Sequence, residues 1–111
     1  MTQRTYRILV KGRFDALDDD ARARLLAAAD EHDPLLAAFT EEGTLTYSRE
    51  LRHFTFRYVV TASGEDADRE ARQQAVDKAV AALRAGGYGY RDLNATGTDM
   101  TEVRIRRKQR R

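Results

Sequence analysis

The sequence predicts a single domain of the α+β class, and three patterns in its 111 residues lead to that prediction. Residues 53–61 are rich in aromatic and β-branched side chains that alternate between two faces, as in a half-buried β-strand. Residues 4–14 alternate between apolar and polar side chains in the same way. Two other stretches place apolar residues every three or four positions, which indicates helices with one buried stripe.

The first strand and the first helix are placed by local signals. The strand is predicted over residues 4–14, and the helix begins at the three acids 18–20, because a carboxylate there accepts hydrogen bonds from free helix amides. The helix is expected to end near Glu31 or His32, since Pro34 disfavours helical geometry at the residue before it. Residues 35–39 form an apolar connector that is expected to pack under this helix.

The next two strands are predicted to form an antiparallel hairpin, over residues 44–48 and 53–61, with a polar link between them. The second of these strands has an aromatic face that must be buried. Its other face is mixed, and it is either half solvated or lines a pocket or an interface. The aromatic face consists of Phe54, Phe56, Tyr58 and Val60, and the mixed face of His53, Thr55, Arg57 and Val59.

The second helix is expected to start after Ser63, because Ser63 and Asp66 have the spacing of a capping box. Alanines recur along this helix, so it is thin enough to lie close to a sheet. Gly86 and Gly87 should end the helix, and a last strand is predicted within residues 90–98. The predicted buried stripe of the helix consists of Ala71, Ala75, Val76, Ala79, Val80, Ala82 and Leu83.

The resulting order of elements is βαββαβ. An antiparallel sheet with this order and with two helices on one face has the ferredoxin-like arrangement. The helices cover one face of the sheet and leave the other face open. Two such open faces often pack against each other, so a homodimer is the leading expectation for a partner.

Charge divides the chain into a domain and a tail. The net charge is +2, but residues 104–111 contain six of the 20 basic residues and no acid. Positions 1–103 form the predicted domain and carry 14 basic against 18 acidic residues, a net charge of −4. The tail is expected to be disordered. The chain has no Cys, no apolar leader and no segment long enough to span a membrane, so a cytoplasmic protein without membrane association is expected.

Several segments, in order along the chain, are similar to those of a family of small actinobacterial proteins of unknown function. The segments are Arg13-Phe14-Asp15, Leu25-Leu26, His32-Asp33, Ala38-Phe39-Thr40, Gly43, Leu45-Thr46-Tyr47, Phe54-Thr55-Phe56-Arg57, Gly87-Tyr88-Gly89-Tyr90 and Asp99-Met100. The resemblance covers nearly the whole chain and implies no particular activity. The wider ferredoxin-like class includes dimeric barrel proteins, some of them cofactor-free oxygenases and cyclases, so a cofactor-free enzyme is an expectation by analogy.

His32, Tyr47 and Arg57 are the candidate catalytic residues. A His at the end of a helix is stabilised as a cation, and beside Asp33 it could act as a general base; the alternative is a simple contact at the helix end. Tyr47 and Arg57 lie on adjacent predicted strands and suit an anionic group in an apolar pocket. The alternative for them is core packing by the Tyr and a surface ion pair by the Arg.

Four aromatic residues, Phe56, Tyr58, Tyr88 and Tyr90, are the candidate ligand-binding residues. Tyr88 and Tyr90 follow two glycines and could form a flexible lip over a pocket, or they could simply mark a helix end and a strand start. No metal and no cofactor is expected, because only two His are present and no nucleotide-binding or nucleophile motif occurs.

Two classes of function follow from these patterns. The first is a homodimeric protein that binds a small organic molecule between helices and sheet, with catalysis in specialised metabolism left open. The second is a non-catalytic module that binds a protein or a nucleic acid through the open sheet face or the basic tail. RNA-recognition domains share the element order, but nucleic acid is the less favoured partner, because the body is acidic and the RNA-binding signature is absent.

Overall fold

The computed structural model describes residues 3–100, which form an antiparallel sheet with helices on one side. In chain order the elements are β1 (Gln3–Phe14), α1 (Asp19–Ala27), β2 (Thr44–Tyr47), β3 (His53–Ser63), α2 (Ala67–Gly86) and β4 (Tyr90–Asp99). Two short 3₁₀ helices, Ala29–His32 and Pro34–Leu36, follow α1. The strands lie in the order β2-β3-β1-β4, so the predicted ferredoxin-like βαββαβ arrangement is confirmed.

Strand pairing determines which side chains share a face of the sheet. β1 pairs with β3 from Gln3 opposite Ser63 to Arg13 opposite His53, and it pairs with β4 on its other side. β2 extends the sheet beyond β3. Because directly opposed residues point to the same side, the even-numbered residues of β1 and β3 share one face and the odd-numbered residues share the other.

The even-numbered face is the core, as the alternation predicts. Phe54, Phe56, Tyr58 and Val60 each expose 4% or less of their surface. They pack with residues of β1 and with one stripe of α2, which lies across β1, β3 and β4. Full burial of each side chain of this size contributes about 1.5–3 kcal/mol to stability, so this face supplies most of the stabilisation that the sheet needs.

The buried stripe of α2 is narrower than predicted, because Val76 and Val80 are only half-buried and Ala82 is not buried at all. It consists of Ala67, Ala71, Ala75, Ala79 and Leu83. Ala82 is exposed, because a strict four-residue spacing brings Leu83 to the sheet. The helix ends as predicted: its C-cap, Gly87, has a φ of 73°.

The predicted start of α1 is confirmed, whereas the predicted cap of α2 is wrong. Asp18 is the N-cap of α1, and its carboxylate accepts a hydrogen bond from the Ala21 amide at 2.7 Å. Ser63 does not cap α2, because it is the last residue of β3 and pairs with Gln3. The N-cap of α2 is Asp66, which makes no capping hydrogen bond through its side chain.

The connector after α1 is also unlike the prediction. Leu35 and Leu36 expose 92% and 62% of their surface, so they do not pack under the helix. The chain instead continues to Thr40, whose carbonyl accepts a hydrogen bond from the Val59 amide at 2.8 Å. This bond brings the preceding residue, Phe39, to the edge of the open face.

The basic tail predicted over residues 104–111 lies outside the described residues. Within residues 3–100, neither helix combines the length and the apolar character that crossing a bilayer requires.

Candidate functional site

His32 and Tyr47, two of the predicted catalytic residues, lie side by side on the helix-covered face. Their rings stack with centroids 5.3 Å apart. The His32 Nδ1 atom lies 2.8 Å from the Leu45 carbonyl oxygen; since a carbonyl only accepts, the nitrogen donates. The Tyr47 hydroxyl donates to the Leu25 carbonyl at 2.6 Å. The Tyr47 hydroxyl and one of the two His32 ring nitrogens are therefore used by backbone carbonyls.

Tyr88 completes this aromatic cluster from the other side of Phe14. The ring of Phe14 lies 5.8 Å from that of Tyr47 and 6.3 Å from that of Tyr88, both edge to face. Burial, together with the nearby Tyr88 hydroxyl and the Glu31 carboxylate, raises the pKa of Tyr47 above its usual value. A phenol with a raised pKa stays neutral at physiological pH, which suits a structural hydrogen bond.

A depression of about 340 Å³ adjoins this cluster at the surface. Its charged groups are already partnered: Arg49 pairs with Asp30 at 2.9 Å, and Asp33 accepts from the Leu35 amide at 2.9 Å. Of the predicted catalytic and ligand-binding residues, Tyr47 alone lines the depression. The depression therefore offers few free polar groups to a ligand.

Arg57 lies on the opposite face of the sheet from Tyr47. It is opposed to Thr44 on β2, and its Nη1 atom donates to the Thr46 hydroxyl at 2.8 Å. The sheet therefore separates Arg57 from His32 and Tyr47, so the three candidate catalytic residues do not share one pocket, and a catalytic role for each stays a prediction.

The predicted ligand-binding residues on β3 are core residues. Phe56 and Tyr58 expose 4% and 1% of their surface, and their rings stack at 5.9 Å. Burial raises the pKa of Tyr58 to about 12. Tyr90 is half-buried at the start of β4, opposite Phe14. Packing gives these residues a structural role, and ligand binding by them stays a prediction.

The open face of the sheet carries an uncompensated positive charge. Among the paired strand residues of this face, five are basic and none is Asp or Glu, while Asp92 lies in the bulge of β4 outside the pairing. Within residues 3–100, none of the five forms an ion pair. They are Arg7, Lys11, Arg13, Arg57 and Arg91. A surface of this kind attracts anions and repels cations.

A groove of about 210 Å³ lies on this open face beside β4. Phe39 forms one wall, and the Arg7 guanidinium carbon lies 5.1 Å from the centre of its ring. Arg7 is opposed to Thr98, and Leu9 is opposed to Thr96, so the sheet itself forms the floor. The lining consists of Arg7, Leu9, Phe39, Thr96, Thr98 and Met100.

Sequence reasoning did not select any of these groove residues. Two signals for them exist in the sequence: Leu9 is an apolar residue on the polar side of β1, and Phe39 is an aromatic residue in a connector. Neither signal shows that the two side chains meet, because the position of Phe39 depends on the pairing of Thr40 with β3.

Comparison with known proteins gives a family but no activity. The whole chain, residues 1–111, matches the model of the family of unknown function DUF6204. The chain belongs to the DUF6204 family. No curated protein and no solved structure matches it. The resemblance to a family of unknown function is thereby confirmed, and the actinobacterial origin stays a prediction.

The two faces of the sheet in this DUF6204 chain differ in chemical character. Under the helices, aromatic side chains pack against one another, and backbone carbonyls accept hydrogen bonds from His32 and Tyr47. On the open face, a groove combines an exposed cation, hydroxyls and apolar side chains. The second combination is the one that binding sites for small molecules use.

Proposed function

We propose that this protein binds a small organic molecule in the groove on the open face of its sheet. The observation that carries the proposal is the composition of the groove. Leu9, Phe39 and Met100 offer apolar surface, and Arg7, Thr96 and Thr98 add a few polar groups. Mostly apolar walls with a few oriented polar groups are the usual features of ligand sites in proteins.

The volume of the groove limits the size of the ligand. Sites for drug-sized molecules enclose roughly 300–1,000 Å³. The groove here measures about 210 Å³, so it suits a molecule with one ring or a short chain. A larger ligand would extend from the groove over the rest of the open face.

The groove favours binding without catalysis. General acid–base chemistry needs a side chain that titrates near the working pH, such as His, Asp or Glu, within reach of the reacting atoms. The lining contains none of these residue types. His32 lies beneath the helices, on the other side of the sheet.

A groove-filling variant tests this proposal. Thr96→Trp places a large ring in the groove from an exposed position of the edge strand β4. His53→Trp is the matched control, because His53 is exposed on the same face at the far end of β3. The measurement is ligand-detected NMR with a panel of one-ring acids, amides, amines and phenols.

We expect members of the panel to bind the unaltered chain and the His53→Trp variant, and to lose binding in the Thr96→Trp variant. The proposal fails if no member binds, or if filling the groove leaves binding unchanged while circular dichroism shows that the variant is folded.

A second candidate function is the binding of a polyanion such as single-stranded nucleic acid. The five basic residues of the open face favour it. Sheets that bind single strands also stack bases on aromatic side chains, whereas the strands here show Thr, Leu and Val beside the cations on that face. Titration with oligothymidylate at several salt concentrations distinguishes polyanion binding from small-molecule binding. Polyanion binding predicts a measurable affinity for the oligonucleotide that falls steeply as the salt concentration rises.

A further inference from the structure

We propose that the groove selects an organic carboxylate. Arg7 binds the carboxylate group, and Leu9, Phe39 and Met100 hold the apolar part of the molecule. This inference rests on the proposed function and adds the chemical class of the ligand. Three features of the groove carry it: the state of Arg7, the hydroxyls opposite it, and the single charge in the lining.

The Arg7 side chain is available to bind an anion. It is exposed, and it makes no ion pair within residues 3–100. Its guanidinium lies over the Phe39 ring, a contact that restricts the side chain without neutralising the charge. The planar fork of a guanidinium matches the two oxygens of a carboxylate and binds them through two parallel hydrogen bonds.

Thr98 and Thr96 place hydroxyl groups beside Arg7 on the same face. Thr98 is directly opposite Arg7 in the β1–β4 pairing, and Thr96 is directly opposite Leu9. A hydroxyl donates one hydrogen bond and accepts others, so these residues can complete the hydrogen bonding of a carboxylate. Leu9 then lies next to the point where the apolar part of the ligand begins.

The single charge of the groove favours a singly charged anion over a phosphate. A phosphate monoester carries about −1.5 to −2 charges at neutral pH and three acceptor oxygens. Protein sites for it use several cations or the free amides of a helix N-terminus. Here Arg7 is the one cation in the lining, and the floor is a sheet whose β1 amides are used in pairing.

The other cations of the open face favour anionic ligands over cationic ones. Lys11, Arg13, Arg57 and Arg91 lie outside the groove but on the same face. Their combined potential concentrates anions near the groove and disfavours amines of the same shape. The groove therefore discriminates against cations before any contact is made.

The experiment is calorimetric titration of the full chain with three probes. Benzoate carries the ring and the carboxylate, benzamide has the same shape without charge, and acetate has the carboxylate without the ring. The variants are Arg7→Gln and the matched control Arg13→Gln. Arg13 is an exposed cation on the same strand and face but outside the groove, so both variants lose the same net charge.

We expect benzoate to bind the unaltered chain more tightly than either benzamide or acetate. Arg7→Gln should weaken benzoate binding by at least about tenfold, because it removes a charge-assisted pair of hydrogen bonds, and should weaken benzamide binding by much less. Arg13→Gln should change benzoate binding by less than about threefold, since it acts only through the screened potential of the face.

The outcomes separate this inference from the proposed function. If benzamide binds as tightly as benzoate, the groove binds organic molecules but does not select carboxylates, and this inference alone is overturned. If acetate binds as tightly as benzoate, or if Arg13→Gln weakens benzoate as much as Arg7→Gln does, the face attracts anions without a built site. If no probe binds, both the inference and the proposed function fail.

Discussion

Tyr47 shows at the scale of one residue how a candidate catalytic group can be a structural one. Its hydroxyl donates to the Leu25 carbonyl at 2.6 Å, and the residue exposes 3% of its surface. Tyr47→Phe would leave that carbonyl without its partner, which costs about 1–3 kcal/mol of unfolding free energy. Urea unfolding measures the loss, and binding in the open-face groove should not change.

The matched control is Tyr88→Phe. The Tyr88 ring packs on Phe14 as the Tyr47 ring does, but within the described residues its hydroxyl makes no hydrogen bond. We expect this variant to stay within about 0.5 kcal/mol of the unaltered chain. Equal losses in the two variants would contradict the structural role of the Tyr47 hydroxyl.

Gly43 provides a second prediction at the residue scale, about the packing of Tyr58. Gly43 has a φ of 90°, and a Cβ atom there would collide with the Tyr58 ring. Gly64 has a φ of 99° with no atom within 4 Å of its Cβ position, so it shares the backbone strain without the collision.

Gly64→Ala should therefore cost about 1–2 kcal/mol from the left-handed backbone alone. Gly43→Ala should cost a further ~1–3 kcal/mol, because the buried ring must move. Thermal unfolding of the two variants gives the difference. A Gly43→Ala variant as stable as Gly64→Ala would mean that Tyr58 does not fill the space beside Gly43.

The position of Arg57 could be predicted from the sequence, whereas the groove could not. Alternation along β3 places the Arg57 side chain on the opposite face of the sheet from the aromatic side chains of that strand. The groove instead depends on Phe39 reaching Arg7, a contact between residues far apart in the chain. No local pattern predicts such a contact.

The contrast between the two helix N-termini gives a prediction at the scale of elements. Asp18 accepts a hydrogen bond from the Ala21 amide at the start of α1, and Asp66 at the start of α2 accepts none through its side chain. Asp18→Ala should cost about 0.5–2 kcal/mol of unfolding free energy, and Asp66→Ala should cost much less. Chemical denaturation of both variants tests this, and an equal loss would contradict the capping assignment.

Strands were easier to predict than the segments between them, for a physical reason. One face of β1 and β3 is buried along most of their length, so apolar and polar residues alternate along each strand. This alternation predicts each strand from its own sequence. The end of β3 could not be read in this way. Ser63 and the residues after it match the pattern of a helix cap, but Ser63 pairs with Gln3 and therefore belongs to the sheet. Gln3 is distant from Ser63 in the sequence, so no local pattern predicts this pairing.

At the scale of the whole molecule, the charge of the open face bears on the expected homodimer. Pairing two open faces would bring together five basic residues from each chain, none of which forms an ion pair within residues 3–100. Two like charges about 4 Å apart near a protein surface repel by about 4 kcal/mol. We therefore propose that this face pairs only when salt or a bound anion screens the charge.

Analytical ultracentrifugation at low and high salt tests this proposal. At about 0.01 M salt the Debye length is about 30 Å and repulsion is strong, whereas at about 1 M it is about 3 Å. We expect a monomer at low salt, with association through the open face confined to high salt. A dimer that forms at low salt and loses its interface on Thr96→Trp substitution would contradict the proposal, because Thr96 lies on that face.

The central claim is that the open face, and not the aromatic cluster under the helices, is the functional surface. An amide chemical-shift map during titration with benzoate tests it most directly. The account predicts that the largest changes fall on Leu9, Phe39 and Thr98, which line the groove. Changes concentrated instead at Tyr47 and Tyr88 would contradict the account, because they would place the ligand under the helices, on the other side of the sheet.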